Sequence, residues 1–298
     1  ARGHGDGLMS ATHATRVLFD EPGPRGRRRI RIWTVLVSIA SIAVVWLGLW
    51  QFWYNHQLDA EKWTPFLDPA NLRFLAVGLQ GTFLALVTAA VVAFPMALLL
   101  ALARHSGGRV LSRLATAWIE FFRSVPMLLV VYFFLLVVPR MKISGQNVDL
   151  PIFWMLVIPM ILVSSASTAE VFRAGILAVD KGQSEAALSL GMTERQTMRL
   201  VVLPQAFRLV LPNLLTALVS LLKDSTLGYV VSYPELMQQG RVLTAFTHSM
   251  IQTYLVVALV FVLVNYLLTQ AADRLQERMA RRASPSRGAL GLGAQSVS

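Results

Sequence analysis

Cysteine is absent from the 298 residues. That excludes a disulfide framework, a zinc–thiolate centre and a cysteine nucleophile, and it leaves the redox compartment open. Charge is scarce as well, at 14% of residues against 55% hydrophobic ones, with a mean hydropathy of +0.57. A soluble domain cannot hide that much apolar surface, and the apolar residues come in runs long enough to cross a bilayer. Acidic side chains are outnumbered, 16 against 27 basic ones, for a net charge of +11. The basic residues sit beside the apolar runs, so they point to membrane orientation and anionic lipid and away from nucleic acid. His4, His13, His56, His105 and His248 have no ligand spacing, and no metal site is expected. Gly-x-x-x-x-Gly-Lys-Ser/Thr, paired intramembrane aspartates, His-Glu-x-x-His and Gly-x-Ser-x-Gly are all missing. The chain is expected neither to hydrolyse ATP nor to catalyse, and no catalytic residue or cofactor of its own is expected.

What is present is an all-α, polytopic pattern of six expected spans. Arg25, Arg27, Arg28, Arg29 and Arg31 close a basic tail (1–31) and predict a cytoplasmic N-terminus. Span one (32–54) ends in Trp46, Trp50, Trp53 and Tyr54, an aromatic belt for the outer interface; with the outer loop it fills 32–72. No cleavable signal peptide is expected, because the first apolar run is long and Trp-rich. The first residue is Ala1 and not Met, so translation is expected to start elsewhere. Span two (73–103) holds Pro95 and is followed by Arg104, Arg109 and Arg113; span three (117–138) holds Arg123 and Pro126. Span four runs from Pro151, as a first-turn proline, to about Phe172. Span five begins near Pro212 and includes or skirts Lys223-Asp224, and span six (250–271) returns to Arg274, Arg278, Arg281 and Arg282. A cytoplasmic C-terminal tail (276–298) follows. Segments 1–24 and 284–298, rich in Gly, Ser, Pro and Ala, are expected to be disordered. No internal repeat of the secondary-transporter kind is visible.

Between spans four and five lies a polar, basic segment, 173–210. Asp180 with Gln183, and Thr193 with Gln196, have the spacing of a helix N-cap and its capping-box partner. Gly191 stands between them, where a C-cap residue of positive φ belongs. Two short helices joined at Gly191 follow, and Ala186 and Ala187 keep the first one thin enough for a partner to approach closely.

Charges also occur within or beside the apolar runs. A charge at the bilayer centre costs at least ~2.5–3.5 kcal/mol, so such residues face a cavity or a partner. Arg123-Ser124 precedes Pro126, which breaks span three. Ser164, Ser167 and Thr168 share a helical face by i, i+3, i+4 spacing, with Glu170 beside them. Lys223-Asp224-Ser225-Thr226 sets both charge signs and two hydroxyls together. Converging, these groups could hold a zwitterion: Glu170 or Asp224 on the ammonium, Arg123 or Lys223 on carboxylates. They could equally pair with one another to lock helices, with the hydroxyls back-bonded to their own helix. Glu170 and Arg173 have the spacing of a helix-end pair.

Glu185-Ala186-Ala187, Gly191, Val201 and Leu203-Pro204, in this spacing, resemble the "EAA loop" of the membrane subunits of bacterial ABC importers, with Val201 where Ile is usual. Lys181-Gly182-Gln183 and Gln205-Ala206 narrow the resemblance to the polar amino-acid permeases. Phe121-Phe122-Arg123-Ser124-Val125-Pro126, Ala169-Glu170-Val171-Phe172-Arg173-Ala174-Gly175 and Leu221-Leu222-Lys223-Asp224-Ser225-Thr226 are similar to motifs of the same family, over roughly 75–275. Ser165 departs from the usual Gly, and Ser167-Thr168 from a common Tyr-Ile pair, which makes for a more hydroxylic pocket. Val17-Leu18-Phe19-Asp20-Glu21-Pro22-Gly23-Pro24 and Ala60-Glu61-Lys62-Trp63-Thr64-Pro65-Phe66 resemble glutamate permeases of high-GC Gram-positive bacteria. The resemblance implies a type I importer core of five helices (73–275) behind one anchor span, working in the cell membrane by alternating access. It implies two ATPase subunits, which carry the Mg-ATP and dock on Glu185, Ala186, Ala187, Gly191, Leu203 and Pro204. It further implies a second membrane subunit, identical or homologous, and an extracellular substrate-binding protein. The substrate would pass Arg123, Ser124, Ser164, Ser167, Thr168, Glu170, Lys223, Asp224, Ser225 and Thr226, with L-glutamate the implied cargo. An ion-coupled secondary transporter or a channel fits the spans and charges but leaves the Glu185-Ala186-Ala187 loop without a purpose.

Overall fold

A computed structural model describes residues 23–106, 108–143 and 145–283, and Cα packing divides the chain between Lys62 and Trp63. The expected tail motif at 17–22 and the expected disorder at 1–22 and 284–298 lie outside the described residues.

The first unit is dominated by α1, Pro24–Tyr54. Arg25 to Arg31 form its opening turns, so they are helix and not tail: Pro24 is pre-set for a first turn, and arginine is a good helix former. No side chain of the helix is buried within its unit. Its 31 residues reach about 46 Å, more than the ~30 Å of a hydrocarbon core.

The second unit opens with α2, Pro69–His105, capped by Asp68, whose carboxylate accepts from the Ala70 N–H at 2.9 Å. Ala85, Ala89, Ala93, Ala97 and Ala101 recur every fourth residue and are fully buried. Small residues at that spacing let backbones approach closely, and this stripe lies against α5, Ile152–Ala178, in the most extensive helix–helix contact of the unit. Span three, expected at 117–138 with a break at Pro126, is built as α3, Arg109–Ser124, and α4, Met127–Leu136, which meet at 95°. Pro126 accounts for the break, because the residue before a proline is pushed towards extended backbone and Val125 lies at φ −89°, ψ 125°. A small two-stranded ribbon, β1 (Lys142–Ile143) and β2 (Gln146–Asn147), interrupts the otherwise helical fold and turns at Gly145, φ +82°.

Pro151 caps α5 from outside and is not its first helical residue, and the helix continues past Phe172 to Ala178. α6, Lys181–Ser189, is followed by α7, Glu194–Thr197, a π turn at Met198–Val202 and α8, Leu203–Asp224. The fifth long helix therefore starts well before Pro212, which sits inside it; membrane helices tolerate internal proline where neighbours compensate. A 3-10 stretch at Ser225–Val231 leads to α9, Leu236–Thr247. α10, Met250–Ala283, makes helix of 276–283, which was expected as tail. Among the described residues five helices are long and apolar enough to cross a membrane, and the bent α3–α4 pair, taken as one span, makes a sixth.

Candidate functional site

The polar segment between α5 and α8 is built as its spacing predicts, with two differences. Asp180 caps α6, its Oδ1 accepting from the Gly182 N–H at 2.7 Å. Gly191 adopts φ +82°, with its N–H donating to the Leu188 carbonyl at 2.9 Å and the Met192 N–H to the Ala187 carbonyl at 3.2 Å. That pair of bonds is the Schellman ending of a helix, and its left-handed residue favours glycine. Thr193 and Gln196 close a reciprocal capping box: the Thr193 N–H donates to Gln196 Oε1 at 2.9 Å, and the Gln196 N–H to Thr193 Oγ1 at 3.3 Å. Gln183 does not box with Asp180. Its Oε1 accepts from Gln205 Nε2 at 3.3 Å, and the same nitrogen donates to the Val201 carbonyl at 3.0 Å.

The second difference is mechanical. The second helix is no separate short piece, because α7 runs through the π turn into α8 as one arm. Gln205 straps α6 to that arm. Glu185 and Ala186 are exposed on α6, whereas Ala187 is 4% exposed and packs inward. Ala187 therefore thins the contact within the chain and not the face turned outward. Leu203 is half-buried and Pro204 exposed.

In the C-terminal half of α5, Glu170 is 17% exposed and shared by three arginines. It pairs directly with Arg104 of α2, with Arg173 at 2.8 Å and with Arg123 of α3 at 4.0 Å. Arg104 also reaches Glu120 at 3.4 Å. Three cations thus face two carboxylates, and the cluster ties α2, α3 and α5 together. The Glu170–Arg173 pair forms as its spacing predicts, but within α5 and not at its end. Arg104, which sequence reasoning used only as an orientation mark, is a full member of the cluster. No local spacing announces it, because its partner lies 66 residues on.

Lys223 and Asp224 do not join this group. Their neighbours Leu221 and Leu222 pack in one cluster with Leu156, Val157 and Met160. Met160 lies nearly three turns along α5 from Glu170, about 15 Å at 1.5 Å per residue. The expected convergence of Arg123, Glu170 and Lys223-Asp224 in one place is therefore not made within this chain, which holds two polar stations along one bundle. Lys223 is exposed, and Asp224 half-buried.

The hydroxyls divide too. Ser167 is exposed and Ser164 half-buried, while Thr168 is 1% exposed with no hydrogen-bond partner. Ser124, Ser165, Ser225 and Thr226 donate to carbonyls of Glu120, Leu162, Leu222 and Lys223 at 2.7–2.9 Å. Back-bonding, the structural alternative, describes these four.

A further polar joint was not foreseen. Glu235 is fully buried and caps α9, accepting from the Met237 and Gln238 N–H groups at 2.8 and 2.7 Å. Burial outweighs those two bonds and pushes its carboxyl up to about 7. Around it, Tyr233 Oη donates to the Gly81 carbonyl at 3.1 Å, and the Leu236 N–H to Thr82 Oγ1 at 3.1 Å. A Cβ on Gly78 would meet Gln239 Cγ at 2.6 Å and Leu236 Cα at 3.0 Å, so α9 packs directly on the α2 backbone. The clue available in sequence was Glu235 at an N-cap position before Leu236, which carries no sign of burial.

Residues 93–281 match the family described as binding-protein-dependent transport system inner membrane component. The glutamate transport system permease protein GluD of Corynebacterium glutamicum is 35% identical over 228 residues, which is 76% of this chain and 82% of that one. The probable glutamine ABC transporter permease protein GlnP of Bacillus subtilis is 32% identical over 228 residues, 76% of this chain and 96% of the relative. Among solved structures, an amino acid ABC transporter crystallised with histidines has 29% identity and a TM-score of 0.64, covering 70% of this chain and 94% of its own.

Proposed function

The chain belongs to the family of binding-protein-dependent transport system inner membrane components, as a multi-pass ABC permease for amino acids, and from that premise we propose that it carries L-glutamate inward across the cell membrane. The observation that carries this reading is the strapped arm: exposed Glu185 and Ala186 on α6, Gln205 bonded to both α6 and the π turn, and α8 running on to Lys223-Asp224. Two ATPase subunits dock on Glu185, Ala186 and the Gly191 turn beside Leu203 and Pro204, on the cytoplasmic side where both termini lie. ATP closes the ATPases, α6 moves, and the arm passes the displacement to the far end of α8. Ala187 serves from behind, by holding α6 against the arm. A second membrane subunit supplies the facing half of the pathway, and an extracellular binding protein delivers the cargo.

Two polar stations suit an acidic amino acid. Lys223 is exposed towards that facing half, with Asp224 available to the ammonium group and Ser225 and Thr226 alongside. The Arg104–Arg123–Arg173 group, with one cation in excess over Glu170 and Glu120, favours an anionic cargo on its way inward, past Ser124, Ser164, Ser167 and Thr168. A charge-assisted hydrogen bond contributes ~1.5–3 kcal/mol, roughly ten- to hundredfold in affinity. Lys223→Met keeps length and removes charge. Per assembled complex in liposomes, it is expected to cut glutamate uptake at least tenfold more than glutamine uptake. Equal effects on both, or uptake per complex that does not change, would remove Lys223 from the path and glutamate's side-chain carboxylate from the argument.

A further inference from the structure

A cleft of about 750 Å³ opens where the C-terminal end of α2 faces α6 and the arm. It includes neither polar station, and it shares α6 (Ser184, Leu188) and Leu203 with the proposed docking face but not Glu185 or Ala186. Arg195 and Arg199 line it one turn apart, both exposed, and neither forms an ion pair among the described residues. Like charges at i, i+4 repel on a helix and call for a counter-anion. Glu194 is the one acidic residue of the lining, so the cleft is cationic. Thr197 also lines it, 4% exposed, with a hydroxyl that has no hydrogen-bond partner. A buried hydroxyl left unpaired costs about 1–3 kcal/mol, which an incoming acceptor oxygen would relieve.

Leu102, Leu188, Met198, Val202 and Leu203 give the cleft an apolar floor, with His105, Ser106 and Ser184 as further polar lining. Inorganic phosphate has no use for such a floor, whereas an amphiphile at a membrane surface does. Leu102, His105 and Ser106 close the end of a membrane-length helix, at the side where the arginines and lysines of the chain gather. That is the depth of lipid headgroups. We propose that this cleft holds the phosphodiester headgroup of an anionic phospholipid, with Arg195 and Arg199 on the phosphate, Thr197 on one of its oxygens and the acyl-proximal carbons on the apolar floor. The lipid then wedges between the end of α2 and the arm, so that membrane composition bears on how freely the arm moves.

Native mass spectrometry of the full chain, released from nanodiscs of equal phosphatidylcholine and phosphatidylglycerol, tests the site. The wild type is expected to retain phosphatidylglycerol in preference to phosphatidylcholine. Arg195→Gln with Arg199→Gln is expected to lower that preference roughly tenfold or more, since each surface cation contributes comparably to anionic-lipid attraction. Arg195→Lys with Arg199→Lys keeps the charge and the preference, which separates loss of binding from loss of fold. Unchanged retention in the Gln pair overturns the proposal. So does displacement of the lipid by millimolar inorganic phosphate, which marks a free-anion site, or its release when the ATPase partner is added, which marks a protein-docking face.

Discussion

Glu235 concentrates the chemistry of this fold at the scale of one residue. It lies outside the five membrane-length helices, fully buried, with a carboxyl near 7 where an unfolded chain would titrate near its ordinary 4.5. Between those two values the folded state holds a proton that the unfolded state has lost. Stability from this group is therefore complete below about 4.5 and falls away as pH rises through about 7. The full swing is at most about 3 kcal/mol. The thermal midpoint of the purified chain in detergent is expected to rise as pH is lowered from neutral towards 5, and Glu235→Gln should remove that part of the rise. A Glu235→Gln variant with the same pH dependence as wild type would show that another group sets it.

At the scale of elements, the Glu170 cluster is the polar fastening between α2, α3 and α5, beside the alanine stripe of α2. Removing one partner of a half-buried pair strands the other, so Glu170→Gln and Arg104→Gln are each expected to destabilise the chain. The double substitution should cost less than the sum of the two, by about 1–3 kcal/mol in unfolding measurements. Additive effects would mean that the pair fastens nothing. Features held within a few residues were legible in the sequence. Thr193 with Gln196, Gly191 at positive φ and Glu170 with Arg173 are all set by local spacing, and hydropathy alone placed the long helices. Contacts made across the fold were not legible: Arg104 meets a carboxylate from another helix, and the Glu235-Leu236 joint is closed by Gly81 and Thr82 far away in α2. One misreading came from proline: Pro212 looked like a helix start because first-turn prolines are common, yet α8 carries it inside, whereas Pro126 breaks span three as read, with a bend of 95°. Lys223 and Glu170 do not meet within this chain, since they sit at different heights of α5 and α8.

At the scale of the whole molecule, the proposed importer is worked from the α6 end of the second unit. The Gly191 turn ends α6 and starts the arm that runs on to Lys223, and the sequence holds no Gly-x-x-x-x-Gly-Lys-Ser/Thr run. A β-branched residue is strained at φ +82°, by about 1–2 kcal/mol or more, so Gly191→Val should disturb the turn while leaving the spans inserted. The most direct measurement follows ATP hydrolysis and glutamate accumulation together, in liposomes holding this chain with its ATPase, its partner membrane subunit and its binding protein. The account predicts that wild-type accumulation requires ATP on the α6 side and no ion gradient, and that Gly191→Val keeps hydrolysis while lowering accumulation at least tenfold. Accumulation driven by a sodium or proton gradient without ATP, or a Gly191→Val complex that couples as wild type does, would contradict it.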